Sequence, residues 1–184
     1  HMRFADTKPY PDQFWRKNRI ELVRGWVSLI ETESKTIRFE GGRTLGYDKL
    51  LLATGSRPNR FGWPGEDLQR VSGMYSVQDL ARLEAASPGL RHAAVIGGGL
   101  IGIELAEMLH SRGIRASMLV RESSYFSGVL PGEESQMVNE VIREQGIDLH
   151  LSTNLSEIED DGRGQACAII DDKGERIEVG FVGL

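Results

Sequence analysis

Gly97-Gly98-Gly99-Leu100-Ile101-Gly102 stands between an apolar run, Ala93 to Ile96, and a helix-like run, Ile103 to Arg112. The spacing G-x-G-x-x-G by itself is common among glycine-rich turns; its place between a strand and a helix gives it meaning. The first glycine permits the tight turn, the second lets the backbone approach a pyrophosphate with no Cβ in the way, and the third lets helix and strand pack closely. Phosphates would then meet the free N–H groups and the positive end of the helix. The stretch therefore predicts a dinucleotide-binding loop.

Working outward, Ile101, Leu105, Met108 and Leu109 recur at helical spacing with Glu104, Glu107 and Ser111 away from them, which predicts one buried face. His110 and Arg112 suit the negative end of the helix, and Gly113 its stop. A strand over Ala116 to Val120 completes a βαβ unit. Further on, a helix is predicted over Glu133 to Gln145 with Met137, Val138, Val141 and Ile142 inward, then a strand over Asp148 to Leu151. The end of the chain alternates over Leu155 to Asp160, Gln165 to Asp171 and Arg176 to Phe181, with Asp161-Gly162 and Lys173-Gly174 as turns, which predicts an antiparallel meander.

Before the loop, short strands are expected over Ile20 to Val23, Val27 to Glu31, Thr36 to Phe39 and Lys49 to Ala53. The irregular stretch Gly55 to Gly73 reads as a connection, and Ser76 with Asp79 three residues on starts a helix through Ala86. The chain is thus expected to divide near residue 75. Residues 1–75 form a β-rich unit with a linker, and residues 76–184 form an α/β, Rossmann-like domain.

The composition limits the function classes. With 40% hydrophobic and 27% charged residues and a net charge of −5, the 184 residues suit one or two cores and give no basic surface for nucleic acid. No apolar run approaches the roughly 18 residues that span a bilayer, so the cytoplasm is the expected compartment. The single cysteine, Cys167, excludes an internal disulfide, a CxxC pair or a cysteine zinc cluster within these residues, and no metal site is expected. Cys167 reads as core filling, with a catalytic thiol as the alternative.

Two further segments carry a family resemblance. Tyr47-Asp48-Lys49-Leu50-Leu51-Leu52-Ala53-Thr54-Gly55-Ser56-Arg57-Pro58, then Pro64-Gly65, then the glycine loop followed by Ile103-Glu104, resemble the flavin-dependent pyridine nucleotide-disulfide oxidoreductases over essentially the whole chain. The resemblance implies that the Ala-Thr-Gly strand end belongs to an FAD domain and that the later loop opens an NAD(P)H domain. It implies that reduced nicotinamide passes hydride to FAD, which asks the protein for positioning more than for covalent work. No catalytic residue is assigned. Glu104 matches the family's glutamate near the nicotinamide, with a solvated helix glutamate as the alternative, and Thr54 and Gly55 would approach the flavin or simply end a strand.

The family plan also has an N-terminal flavin fingerprint and a later Gly-Asp segment, and neither occurs in these residues. The expectation is a fragment: the nicotinamide domain with a remnant of the FAD domain, binding FAD only in the complete protein. His1-Met2 read equally as a cloning remnant or as native residues. The partner expected within the chain is the dinucleotide; the electron acceptor lies outside these residues, and a homodimer is compatible. A non-catalytic NAD(H)-sensing or interaction module is the second functional class, since a Rossmann unit fixes binding and not reaction.

Cofactor choice turns on Val120-Arg121-Glu122. NAD binders place an acid about 20 residues past the glycine loop to bind ribose hydroxyls. Relative to the family, Val120 occupies the acid's place and Arg121 the place of an arginine found in glutathione reductases. A guanidinium fork suits a 2′-phosphate, which leans the reading toward NADP. Against it, Glu122 would repel that phosphate, Ser127 stands where those reductases have a second arginine, and a solvated arginine is the plainer alternative. If the strand continued that far, at most one of Arg121 and Glu122 would face the ribose.

Overall fold

The computed structural model describes residues 4–184, so His1 and Met2 lie outside the described residues. By contact the chain forms two compact units, His1–Gly55 and Ser56–Leu184. The expected boundary near residue 75 differs because the stretch 56–75 is tied into the second unit. The Ser56 N–H donates to Tyr75 Oη at 3.0 Å, and Val71–Ser72 forms a strand paired with the end of the chain.

In the first unit a helix, α1 (Asp12–Lys17), precedes an antiparallel sheet of β1 (Val27–Glu31), β2 (Thr36–Phe39) and β3 (Thr44–Gly46) in that order. Tyr10 stacks on Phe14 with ring centroids 4.0 Å apart, which anchors α1 locally. Strands were expected over Ile20 to Val23 and Lys49 to Ala53, but neither forms. Among the described residues no neighbouring strand pairs with either run, and without a ladder an apolar run has no reason to stay extended in a sheet. Leu51 and Leu52 are accordingly exposed, and Thr54 and Gly55 follow in irregular backbone.

In the second unit five parallel strands run in the order β4 (Val71–Ser72), β11 (Val182–Gly183), β5 (His92–Ile96), β6 (Arg115–Val120), β7 (Asp148–Leu151). The helices α2 (Val77–Ala86), α3 (Leu100–His110) and α4 (Gly132–Glu144) connect them. A second sheet, β8 (Leu155–Asp160), β9 (Ala166–Asp171) and β10 (Arg176–Glu178), is antiparallel. Alternation along the central strands sorts the core into two layers. Ala93, Val95, Met118 and Val120 join Leu83, Leu105, Leu109 and Ile142 in one cluster; Ala94 and Leu119 join Ile158, Ile169 and Val182 in the other. The central sheet is thus buried on both faces.

The expected strand Arg176 to Phe181 is split. β10 ends at Glu178, and the chain then rejoins the parallel sheet as β11 beside β5. Cys167 lies in β9 as a free, half-buried thiol, less enclosed than a core-filling residue. In α3, Leu105 and Leu109 are buried and Met108 partly so, whereas Ile101 is half exposed because it falls in the first turn beside the glycine loop. In α4, Met137 and Val141 face outward, contrary to expectation; the buried residues are Ser135, Asn139 and Ile142, with Val138 partly buried. The reason lies in what α4 packs against, a polar loop described below.

Helix α2 begins as its sequence predicts. Ser76 caps it, with the Asp79 N–H donating to Ser76 Oγ at 3.2 Å and the Ser76 N–H donating to Asp79 Oδ2 at 2.8 Å, a reciprocal capping box. Tyr75 N–H and Ser72 Oγ also donate to the buried carboxylate, and Arg82 lies 2.9 Å from it. Burial alone would raise the Asp79 carboxyl, but the hydrogen bonds from Ser76, Tyr75 and Ser72 outweigh it and hold the group below its ordinary value. A carboxyl depressed in the folded state stabilises it above the unfolded value, about 3.9, and loses that contribution as pH falls through the folded value. Asp79→Asn is therefore expected to cost about 1–2 kcal/mol at pH 7. The gap between variant and parent should close as denaturation is repeated at pH values descending below 4.

Candidate functional site: the glycine loop and its two cavities

At the carboxyl end of β5 the chain turns through Gly97, whose φ of +120° is open to glycine and costly for other residues. The Gly97 N–H donates to the Leu119 carbonyl at 2.9 Å, which ties the turn to β6. A Cβ on Gly102 would lie 2.4 Å from the Gly97 carbonyl oxygen, so the first turn of α3 sits directly against the strand end. A Cβ on Gly98 would lie 2.8 Å from Val120 Cγ1, which places the fully buried Val120 beneath the loop. Gly99, by contrast, faces open space: a Cβ there would meet nothing within 4 Å. Gly99 is also the N-cap of α3 and supplies no side-chain acceptor, so no side chain competes for the first N–H groups of the helix. A bare helix N-terminus beside an open glycine fits a pyrophosphate.

A polar latch holds the loop from the far side. Tyr125 Oη donates to the Gly99 carbonyl at 2.9 Å, and the Tyr125 N–H donates to Asn139 Oδ1 at 2.8 Å. Asn139 Nδ2 donates to Ser124 Oγ at 2.7 Å, and Ser135 Oγ donates to the Tyr125 carbonyl. Ser135 and Asn139 on α4 thus face inward to satisfy the backbone of the loop after β6, which displaces Met137 and Val141 to the surface. Burial first, and then the charge of Glu104, push the Tyr125 phenol above its ordinary value, so it remains a donor at neutral pH. Nothing in the sequence pattern marked this tyrosine or its partners.

Two cavities open on either side of the loop. The larger, about 660 Å³, takes in Gly97, Gly98, Gly99, Arg121 and Glu122. The smaller, about 320 Å³, takes in Gly97, Gly99, Ile101 and Gly102. Leu100 and Glu104 are exposed and line neither, and Thr54 and Gly55 belong to the other unit. Because β6 ends at Val120, Arg121 and Glu122 lie beyond the strand and its alternation no longer separates them. Arg121 Nε lies 2.6 Å from Glu122 Oε1, and that contact holds the glutamate below and the arginine above their ordinary values. Both face one cavity, and each presently satisfies the other.

A separate polar cluster lies at the opposite ends of the strands. His92 Nε2 is 2.9 Å from Ser117 Oγ, which donates to Asp148 Oδ2 at 3.0 Å, and His150 Nε2 is 3.1 Å from the same carboxylate. Among the described residues no three metal-ligating side chains converge, and no helix is long and apolar enough to cross a membrane.

A parallel sheet with a glycine loop at the end of a strand, a helix starting on that loop and an antiparallel meander behind it define a Rossmann-like nucleotide domain. The family model for pyridine nucleotide-disulphide oxidoreductases matches residues 11–183, and the chain belongs to that family of flavoprotein oxidoreductases. It is 31% identical over 170 residues to the NAD(P)H nitrite reductase of Bacillus subtilis, covering 92% of this chain and 21% of that protein. It therefore spans about a fifth of that relative's length. A ferredoxin reductase from Rhodopseudomonas palustris has the same fold, with a TM-score of 0.88 at 23% identity over 95% of this chain and 43% of the other. So does an engineered water-forming NADPH oxidase bound to NADPH, with a TM-score of 0.74 at 24% identity over 86% of this chain and 36% of that one.

Proposed function

We propose that this chain binds a nicotinamide adenine dinucleotide across Gly97–Gly102, as the part of a flavin-dependent oxidoreductase that receives NAD(P)H. The observation that carries the reading is Gly99: extended, open above, and set at a helix N-terminus with no competing side-chain cap. The pyrophosphate would meet the loop's backbone there, leaving the two halves of the dinucleotide to the two cavities. When bound, the reduced nicotinamide supplies the hydride that flavin accepts in the complete protein. The relatives' names indicate the classes of final acceptor, nitrite in one case and a ferredoxin in another.

Within this reading NADP(H) is preferred to NAD(H). Val120 leaves no carboxylate for the ribose hydroxyls, since it is fully buried under Gly98, and Arg121 is exposed on the larger cavity. The engineered NADPH oxidase has alanine in place of aspartate and, at the next residue, arginine in place of alanine, a pair of the same character as Val120-Arg121. Arg121→Ala is expected to weaken NADPH about ten- to hundredfold and leave NADH within about twofold. Glu122→Ala should free the guanidinium and remove a like charge, so NADPH tightens and NADH is unchanged. Calorimetric titration of both variants with both cofactors tests this. Loss of NADH binding in Glu122→Ala alone would make Glu122 the ribose ligand and reverse the preference.

A further inference from the structure

We infer that Phe61 and Trp63 form an aromatic wall that packs against a base of the bound dinucleotide, a contact outside the glycine fingerprint. Both residues line both cavities, so they stand where the two meet above the loop. Their ring centroids are 4.8 Å apart with the planes tilted by 48°. Trp63 packs partly buried on the core layer between the two sheets, whereas Phe61 is 66% exposed. Burial therefore does not explain where Phe61 points.

The segment that carries the pair is built to hold that position. Glu66 Oε2 accepts from the Phe61 N–H at 3.2 Å and from the Gly62 N–H at 2.9 Å, and Gly62 takes a φ of +76° between the two rings. Arg60 pairs with Asp67 at the base of the same turn. Two hydrogen bonds to one carboxylate fix a backbone that would otherwise drift, and the result is a large ring held in water beside an apolar chamber. Nicotinamide and adenine are both flat and present a π-face, which suits the part of the Phe61 ring that its contact with Trp63 leaves exposed. Arg121, which lines the same larger cavity, would give the sugar-phosphate its charge partner, and the aromatic wall would give the base its surface.

The inference rests on the proposed dinucleotide binding, and the test separates the two. NADPH and ADP-ribose are titrated into the parent chain and into Phe61→Ala, Phe61→Leu and Phe61→Tyr. Phe61→Ala is expected to weaken NADPH about tenfold, Phe61→Leu nearly as much because it lacks a flat face, and Phe61→Tyr to retain the parent affinity. Equal loss with ADP-ribose places the ring on the adenine half; loss with NADPH alone places it on the nicotinamide half. A second readout uses Trp15→Phe and Trp26→Phe together, leaving Trp63 as the one tryptophan. Its emission should fall by about half or more on saturation with NADPH, through energy transfer to the reduced nicotinamide. If the parent chain binds neither ligand, the proposed function fails. If the parent binds while Phe61→Ala binds equally well and Trp63 emission is unmoved, the aromatic wall alone is overturned.

Discussion

Gly99→Val is expected to abolish binding of both NADPH and NADH while leaving the fold intact. The backbone at Gly99, φ −88° and ψ 177°, is extended and open to any L-residue, β-branched ones included. A Cβ there meets no heavy atom within 4 Å, so the unliganded protein has nothing to displace. Its stability should fall by only about 1 kcal/mol, because valine is a poorer N-cap than glycine. The branched side chain would instead fill the space over the first turn of α3, where the pyrophosphate's charge-assisted hydrogen bonds to backbone N–H groups would form. Losing two such bonds, each worth about 1.5–3 kcal/mol, implies at least about a hundredfold loss of affinity. Calorimetry paired with a thermal melt measures both halves of this expectation. Unchanged affinity would move the ligand elsewhere, and a large drop in melting temperature would show that Gly99 is not open.

The second large effect has the opposite signature. Gly102→Ala adds a Cβ 2.4 Å from the Gly97 carbonyl oxygen and 3.1 Å from Met118 Cε. The methionine end can swing aside; the carbonyl cannot without opening the turn that the Gly97–Leu119 hydrogen bond closes. Overpacking of this kind costs about 1–3 kcal/mol, more when backbone must move. For a unit of this size, each kcal/mol lowers the melting temperature by about 2–8 °C. Dinucleotide affinity should fall as well, because the loop is displaced. Denaturant unfolding followed at the same protein concentration as the titration would show both losses together. A Gly102→Ala protein as stable as the parent would mean that α3 does not press on β5 as closely as its backbone indicates.

Much of this architecture is visible in the chain, for reasons that can be named residue by residue. β1, β2, β7 and β8 fall where alternating apolar residues and turn glycines place them, and α2 begins at Ser76 because Ser76 and Asp79 satisfy each other. The glycine loop was readable because each glycine answers a different steric demand. β4 and β11, of two residues each, leave no periodicity to read and exist because the parallel sheet supplies partners. Lys49 to Ala53 failed in the opposite sense, with the composition of a strand and no partner among the described residues.

The site was less legible than the fold. Met137 and Val141 look like core residues, but α4 turns Ser135 and Asn139 inward, since the loop it covers presents backbone donors and acceptors and not apolar atoms. Tyr125 sits in that loop without any pattern of its own. Phe61 and Trp63 lie in a stretch that composition assigns to a linker, and only the folded chain brings them over the glycine loop. The contact between Arg121 and Glu122 required knowing that β6 stops at Val120.

The most direct test is an amide chemical-shift map of the isotope-labelled chain titrated with NADPH. Binding across the loop predicts that the largest shifts gather at residues 97–102, with Arg121, Glu122 and the 61–63 segment following at the same ligand concentration. Tyr125 should move with Gly99 through their shared hydrogen bond. Shifts centred instead on His92, Ser117 and Asp148 at the opposite ends of the strands, with Gly97 to Gly102 silent at saturation, would contradict the assignment of the glycine loop as the nucleotide site.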